Sequence, residues 1–99
     1  MNHLLFAYGT LLETHVQEAI IGRIIEGRPD RLKGFRKAEV QDGQETFPTL
    51  HAGAESFVEG RILEVTPQEL SHIDMYEGDL YARHKVTLES GTQAWVYYS

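Results

Sequence analysis

Helix-forming signals occur at only two places in this 99-residue chain, and the stretches between and after them read as strand. A parallel α/β sheet needs a helix between successive strands, so that architecture is excluded. The stronger helix start is Thr66-Pro67-Gln68-Glu69, a threonine N-cap with proline at the first helical position and a glutamate that closes a capping box. Leu70, Ile73 and Tyr76 or Glu77 then share one face, and Gly78 is the natural stop. The weaker start holds two overlapping boxes, Thr10-x-x-Glu13 and Thr14-x-x-Gln17, with Val16, Ala19 and Ile20 at helical spacing. It predicts a helix of about two turns from near Glu13 to Ile21, closed by Gly22.

The strand signals are more numerous. Leu4 to Tyr8 is an apolar run that ends at Gly9, as a buried central strand would. Arg23 to Val40 is β-like, with Leu32, Phe35, Ala38 and Val40 among charges, and Asp42-Gly43 is a tight-turn signal. Pro48 interrupts Phe47 to Leu50, which predicts loop or edge strand there. Phe57 to Val65 and Tyr81 to Glu89 alternate, and Ser90-Gly91 turns the chain so that Gln93 to Tyr98 returns as a hairpin partner. The expected fold is α+β: a small, mixed, barrel-like sheet of about five to seven strands with two short helices. Leu, Ile, Val and Phe supply 26 of the 99 residues, enough for a folded core, and the length suits one domain over residues 1–99.

Composition removes several functions. Without cysteine there is no disulfide framework, thiolate metal site or cysteine nucleophile. A formal charge of −6 argues against a nucleic-acid binder, which needs a basic footprint. No apolar run is long enough for a membrane helix, and Leu4 to Leu12 lacks both the basic flank and the cleavage site of a signal peptide. The expectation is a cytoplasmic protein, mature from Met1. Charge is uneven, since six of the nine basic residues fall between Arg23 and Lys37. The plain reading is a solvated strand face, and the sharper one is a patch attracting acidic substrates. The five histidines have no metal-ligand spacing, and neither a G-x-S-x-G nor a phosphate loop occurs.

Two constellations carry chemistry. Tyr8-Gly9-Thr10-Leu11 lies at a strand-to-helix junction, where successive N–H groups can converge on an anion or a carbonyl oxygen. An ordinary turn is the alternative. Asp74-Met75-Tyr76-Glu77-Gly78, followed by Tyr81 and Arg83, puts carboxylates near a helix C-terminus, an unfavourable dipole field. A carboxyl there beside Tyr76 and Tyr81 has a raised pKa suited to general acid–base work. Solvation of Glu77, or pairing with Arg83 or Lys85, is the alternative.

As an ordered set the motifs run Phe6-Ala-Tyr-Gly-Thr-Leu11, Phe47-Pro-Thr-Leu50, Val58-Glu-Gly-Arg-Ile-Leu-Glu-Val65, Ile73-Asp-Met-Tyr-Glu-Gly78, Tyr81-Ala-Arg83 and Ala94-Trp-Val-Tyr97. The set resembles the γ-glutamylcyclotransferase-like superfamily, especially its small AIG2-like members, from about Leu5 to Tyr97. The resemblance implies a small mixed barrel flanked by helices and a pocket at one end. It makes Tyr8, Gly9, Thr10 and Leu11 the loop that holds a γ-glutamyl moiety, and Glu77 the catalytic acid/base. Tyr81 and Tyr97 match aromatic positions that line the pocket, whereas Arg83 and Pro48 match positions without an assigned role. Many relatives have a basic or polar residue after the first motif, where this chain has Leu12.

The implied reaction suits so small a protein. A γ-glutamyl amine or amide contains its own nucleophile, an α-amine able to reach the γ-carbonyl and release 5-oxoproline. The expected partner is that small molecule, with no cofactor, metal, nucleic acid or membrane, and with the protein a monomer or weak homodimer. The alternative is a non-catalytic protein that binds a carboxylate or an amino-acid derivative in the same pocket.

Overall fold

The apolar run near the start of the chain forms the middle of a five-stranded sheet. In the computed structural model, which describes residues 1–99, the strands are β1 (His3–Ala7), β2 (Arg28–Asp42), β3 (Glu45–Val65), β4 (Ala82–Thr87) and β5 (Gln93–Tyr98). The helices are α1 (Thr14–Ile20) and α2 (Pro67–Glu77), with short 3-10 turns at Thr10–Leu12 and Gly78–Leu80. Sheet order is β2-β3-β1-β5-β4. The β1–β5 pair is parallel and the others are antiparallel, so the sheet is mixed.

Alternation along β1 feeds two cores. Leu5 and Ala7 join Leu63, Val65, Leu70, Ile73 and Tyr97 in the cluster that includes both helices' apolar faces. Phe6 joins Leu32, Leu50, Val58, Ile62 and Val96 in a second cluster, to which no helix contributes. Leu5 and Phe6 are 0% and 1% exposed, each contributing about 1.5–3 kcal/mol by burial. The edges of the sheet approach one another: the Glu89 N–H donates to the Arg31 carbonyl at 2.8 Å, and Asp30 accepts from the Ser90 hydroxyl. The result is a curled half-barrel carrying two helices, an α+β fold.

Gly60 permits a close approach between β3 and β1. A methyl group there would lie 2.4 Å from the Ala7 carbonyl oxygen and 2.7 Å from Phe6 Cζ, so only glycine lets β3 pass the point where β1 leaves the sheet.

Two local expectations change, and a third is narrowed to one of its alternatives. Neither capping box of α1 forms: Glu13 is the N-cap, with no side-chain cap bond. Gln17 instead turns inward, 2% exposed, donating to the Leu11 carbonyl and accepting from the Ile25 N–H, both at 2.8 Å. Next, β2 begins at Arg28 rather than Arg23, because Arg23 turns to the start of α2 and grips Glu69. Finally, of loop and edge strand, Phe47 to Leu50 is the edge strand. The 21-residue β3 continues through Pro48, opposite Glu39 of β2, while β1 covers β3 only from Arg61 onward. The Pro48 carbonyl accepts from the Tyr81 hydroxyl at 2.5 Å, so the missing N–H faces the open side of the ladder, as for an edge strand.

The strong helix start is as expected. The Glu69 N–H donates to Thr66 Oγ1 at 3.1 Å and the Thr66 N–H donates to Glu69 Oε1 at 2.9 Å, with Pro67 at the first position. The Arg23 guanidinium and the capping bonds hold the Glu69 carboxyl down to about 2. Thr66→Ala should therefore cost about 1 kcal/mol in urea unfolding, and an unchanged midpoint would contradict the role given to the box.

Candidate active site

Three segments end at one place. The Tyr8–Leu11 loop leaves β1, the last turn of α2 arrives at Glu77, and the hairpin of β2 and β3 brings Asp42, Phe47 and Pro48 across from them. Between them is a pocket of about 500 Å³, floored by Phe6, Ala7 and Tyr97 and walled by Tyr76, Tyr81 and Leu80. Gly78, at φ 67°, stops α2 in a conformation that suits glycine and returns its N–H to the Asp74 carbonyl.

All seven residues singled out from the sequence line this pocket: Tyr8, Gly9, Thr10, Leu11, Glu77, Tyr81 and Tyr97. Their contributions differ. Leu11 is 4% exposed and packs its side chain into the helix-side core, so it presents main chain. The Gly9 and Thr10 carbonyls accept from Leu12 and Glu13 within the turn, which has no preceding carbonyl for the leading N–H groups. A Cβ at Gly9 would meet only Pro48 Cγ, at 4.0 Å, so glycine keeps this wall open.

The tyrosines are fixed by their hydroxyls. Tyr8 donates to the Tyr97 carbonyl at 2.6 Å, Tyr97 to Asp74 Oδ1 at 2.5 Å and Tyr81 to the Pro48 carbonyl at 2.5 Å. Thr10 Oγ1 and the Tyr76 hydroxyl share a bond of 2.8 Å across the rim. Burial raises the pKa of Tyr8 and Tyr97 well above the ordinary phenol, so both remain protonated. For Tyr97, acceptance by Asp74 adds to that effect.

Glu77 is the exception in this bonded wall. Neither a hydrogen bond nor an ion pair is made by its carboxylate, and burial alone pushes its pKa from 4.5 up to about 7. The cations that might have paired with it are engaged elsewhere. Arg83 Nε lies 3.1 Å from Asp74 Oδ1, and Lys85 Nζ sits 4.3 Å from the centre of the Trp95 ring. Of the two residues that helical spacing left open for the inner face, Glu77 points inward and Tyr76 stands at the rim, 41% exposed.

Other sequence features fall outside the pocket. None of the basic residues from Arg23 to Lys37 lines it. Arg31 lies 3.2 Å from Glu59 and Lys33 lies 3.9 Å from Glu89, as on a solvated strand face. Leu12 packs against the helix-side core rather than into the pocket. No group of three His, Asp or Glu side chains comes together to hold a metal. Asp42 and Asp79 were not singled out from the sequence, and both line the mouth. Only a long-range contact brings the hairpin there, so Asp42 carried no local signal beyond its turn.

An unpaired, half-buried carboxylate has a measurable signature. Because the folded-state pKa of Glu77 is raised, the native state binds its proton more tightly than the unfolded chain does, and ionisation destabilises the fold between pH 4.5 and about 7. The thermal stability of Glu77→Gln relative to wild type should rise as pH passes through that window and level off above it. A difference independent of pH would contradict this burial.

Comparison with known proteins agrees with the geometry. The gamma-glutamyl cyclotransferase, AIG2-like family pattern matches residues 5–99. No curated protein matches the chain by sequence. Among solved structures, the Arabidopsis thaliana protein At3g28950.1 superposes with a TM-score of 0.82 at 25% identity, over 99% of this chain and 62% of its own. A gamma-glutamyl cyclotransferase superposes with a TM-score of 0.82 at 19% identity, over 99% of this chain and 66% of its own. The uncharacterized Homo sapiens protein loc79017 gives 0.86 at 19% identity, over 98% and 66%. The chain thus spans about two thirds or less of the length of each of these structures. On the family match over nearly its whole length, the chain belongs to the gamma-glutamyl cyclotransferase, AIG2-like family.

Proposed function

We propose that this protein is a cyclotransferase that releases 5-oxoproline from a γ-glutamyl amine or amide, with Glu77 as general acid and base. The observation that carries the reading is Glu77 itself: a carboxyl without a partner, held near pKa 7 by burial, in the wall of a pocket of about 500 Å³. A group so tuned accepts and returns protons at neutral pH, where an ordinary carboxylate returns them poorly.

The reaction follows from the substrate's own atoms. Glu77 takes a proton from the α-ammonium, and the freed amine attacks the γ-carbonyl carbon to form the lactam C–N bond. The protonated Glu77 then gives that proton to the departing nitrogen as its bond to the γ-carbon breaks, and the second proton shed by the new ring nitrogen passes through the same carboxylate to the released amine. Products are 5-oxoproline and the amine in its ammonium form, and no water is consumed. Holding the glutamyl chain folded supplies much of the acceleration, up to about 7–11 kcal/mol in model systems.

Roles for the other residues follow. No Lys, Arg or His lines the pocket, so the α-carboxylate and the developing oxyanion fall to backbone N–H groups of the Tyr8–Leu11 loop. Tyr81 and Tyr97, pinned by their hydroxyls, shape the cavity around the methylene chain. Lactam closure needs proton transfer alone, so the reading includes no cofactor and no metal. It also takes the protein to be cytoplasmic, a monomer or weak homodimer, acting on a small molecule away from nucleic acid and membrane. No helix is long and apolar enough to cross a membrane.

The test is a panel of γ-glutamyl amines, amides and dipeptides, followed by release of 5-oxoproline. Wild type should turn over at least one member, and Glu77→Gln should lose about 10²–10⁴-fold in kcat. Equal release by the variant would overturn the role of Glu77. Stabilisation by panel members without turnover would favour the non-catalytic binding protein.

A further inference from the structure

Arg83 does not line the pocket, yet it is linked to it through two side chains. Its Nε lies 3.1 Å from Asp74 Oδ1, the same oxygen that accepts the Tyr97 hydroxyl at 2.5 Å. On its other side the guanidinium lies 4.5 Å from the centre of the Trp95 ring, which fixes the fork against β5. Asp74 stands three residues before Glu77 on α2, hence beside it on the helix surface. Two bonds from two strands therefore hold the last turn of the helix, which otherwise frays and whose dipole disfavours a carboxylate.

We infer that Arg83 is a positioning residue for Glu77: through Asp74 it anchors the final turn of α2 and cancels the negative charge that stands beside the reacting carboxyl. The inference rests on the catalytic reading of Glu77 for its effect on rate. Its effect on the ionisation of Glu77 stands independently.

The groups around Glu77 make the charge argument specific. The loop after β1 presents Tyr8, β5 presents Tyr97, and the turn after α2 presents Asp79 and Tyr81. From the helix come Tyr76 and Asp74, and from the hairpin tip comes Asp42. Every charged member of that set is a carboxylate. Arg83 is the cation that offsets one of them, the one held on the same helix as Glu77. Without Arg83 the bare Asp74 charge disfavours ionisation of Glu77; without Asp74 the bare Arg83 charge favours it.

The experiment follows the Glu77 carboxyl carbon by NMR, together with kcat against pH, in four variants. Arg83→Gln should move the Glu77 midpoint upward by about half to one pH unit, and Asp74→Asn should move it downward by a similar amount. The double variant should return the midpoint to the wild-type value while kcat stays depressed by about tenfold or more with KM little changed, since the anchor remains lost. Arg83→Lys should hold the wild-type midpoint with the same loss of kcat, because it keeps the charge without the planar fork. Arg83→Lys also serves as the folded control if the Gln variant does not fold. An unmoved midpoint in both single variants, or a double variant with wild-type kcat, would overturn the inference. Midpoints that move as stated in a protein inactive on the whole panel would instead sink the catalytic reading and leave the charge relation standing.

Discussion

Because β1 lies between an antiparallel neighbour and a parallel one, with core residues on both faces, it fixes where every other part of the molecule stands. Leu5 and Ala7 require helices above them, while Phe6 requires the sheet to curl around it below. A strand buried on both sides must place its exit loop at the end of the sheet, where neither layer covers it. Here that exit is Tyr8-Gly9-Thr10-Leu11. β3 leads into α2, which packs back over β1 and ends beside the same exit. The pocket is thus a consequence of topology rather than an addition to it.

The energetics of the pocket set its wall against Glu77. Tyrosine hydroxyls close onto carbonyls and Asp74, so the wall is satisfied and stiff. Glu77 is left without such a partner, which costs stability when it ionises and holds its pKa near neutral. A salt bridge to Arg83 would remove both effects. Engagement of Arg83 by Asp74 and Trp95 prevents that pairing, and the carboxylate that most needs a cation is not the one that has it. Under the proposed cyclisation a substrate carrying its own nucleophile would need no more than a folded cavity, backbone donors and one tunable proton carrier.

Signals that act within a few residues were legible in the sequence. Thr66, Pro67 and Glu69 announced α2, Gly78 its end, and Asp42-Gly43 and Ser90-Gly91 the two hairpins. The ordered motifs pointed to the residues around the pocket because they preserve the ends of β1 and α2, where the chain must converge. What was not legible depended on contacts beyond the neighbouring turn. At Thr14 the box failed because Gln17 uses its amide inside the core, bridging Leu11 and Ile25, and the Thr10 hydroxyl bonds to Tyr76 instead. The choice between loop and edge strand at Pro48 was settled only by β1 leaving that side of β3 uncovered. The parallel β1–β5 pair, with helices and three strands between its members, has no local sign at all.

Glu77 is an unpaired, half-buried carboxyl, and that desolvation brings its pKa to about 7. The most direct measurement is its titration in the folded wild type, followed at the side-chain carboxyl carbon and assigned by its loss in Glu77→Gln. A midpoint near pH 7 is what the burial requires. A midpoint at the ordinary 4.5 would mean that water or a cation reaches Glu77 and that the pocket does not desolvate it.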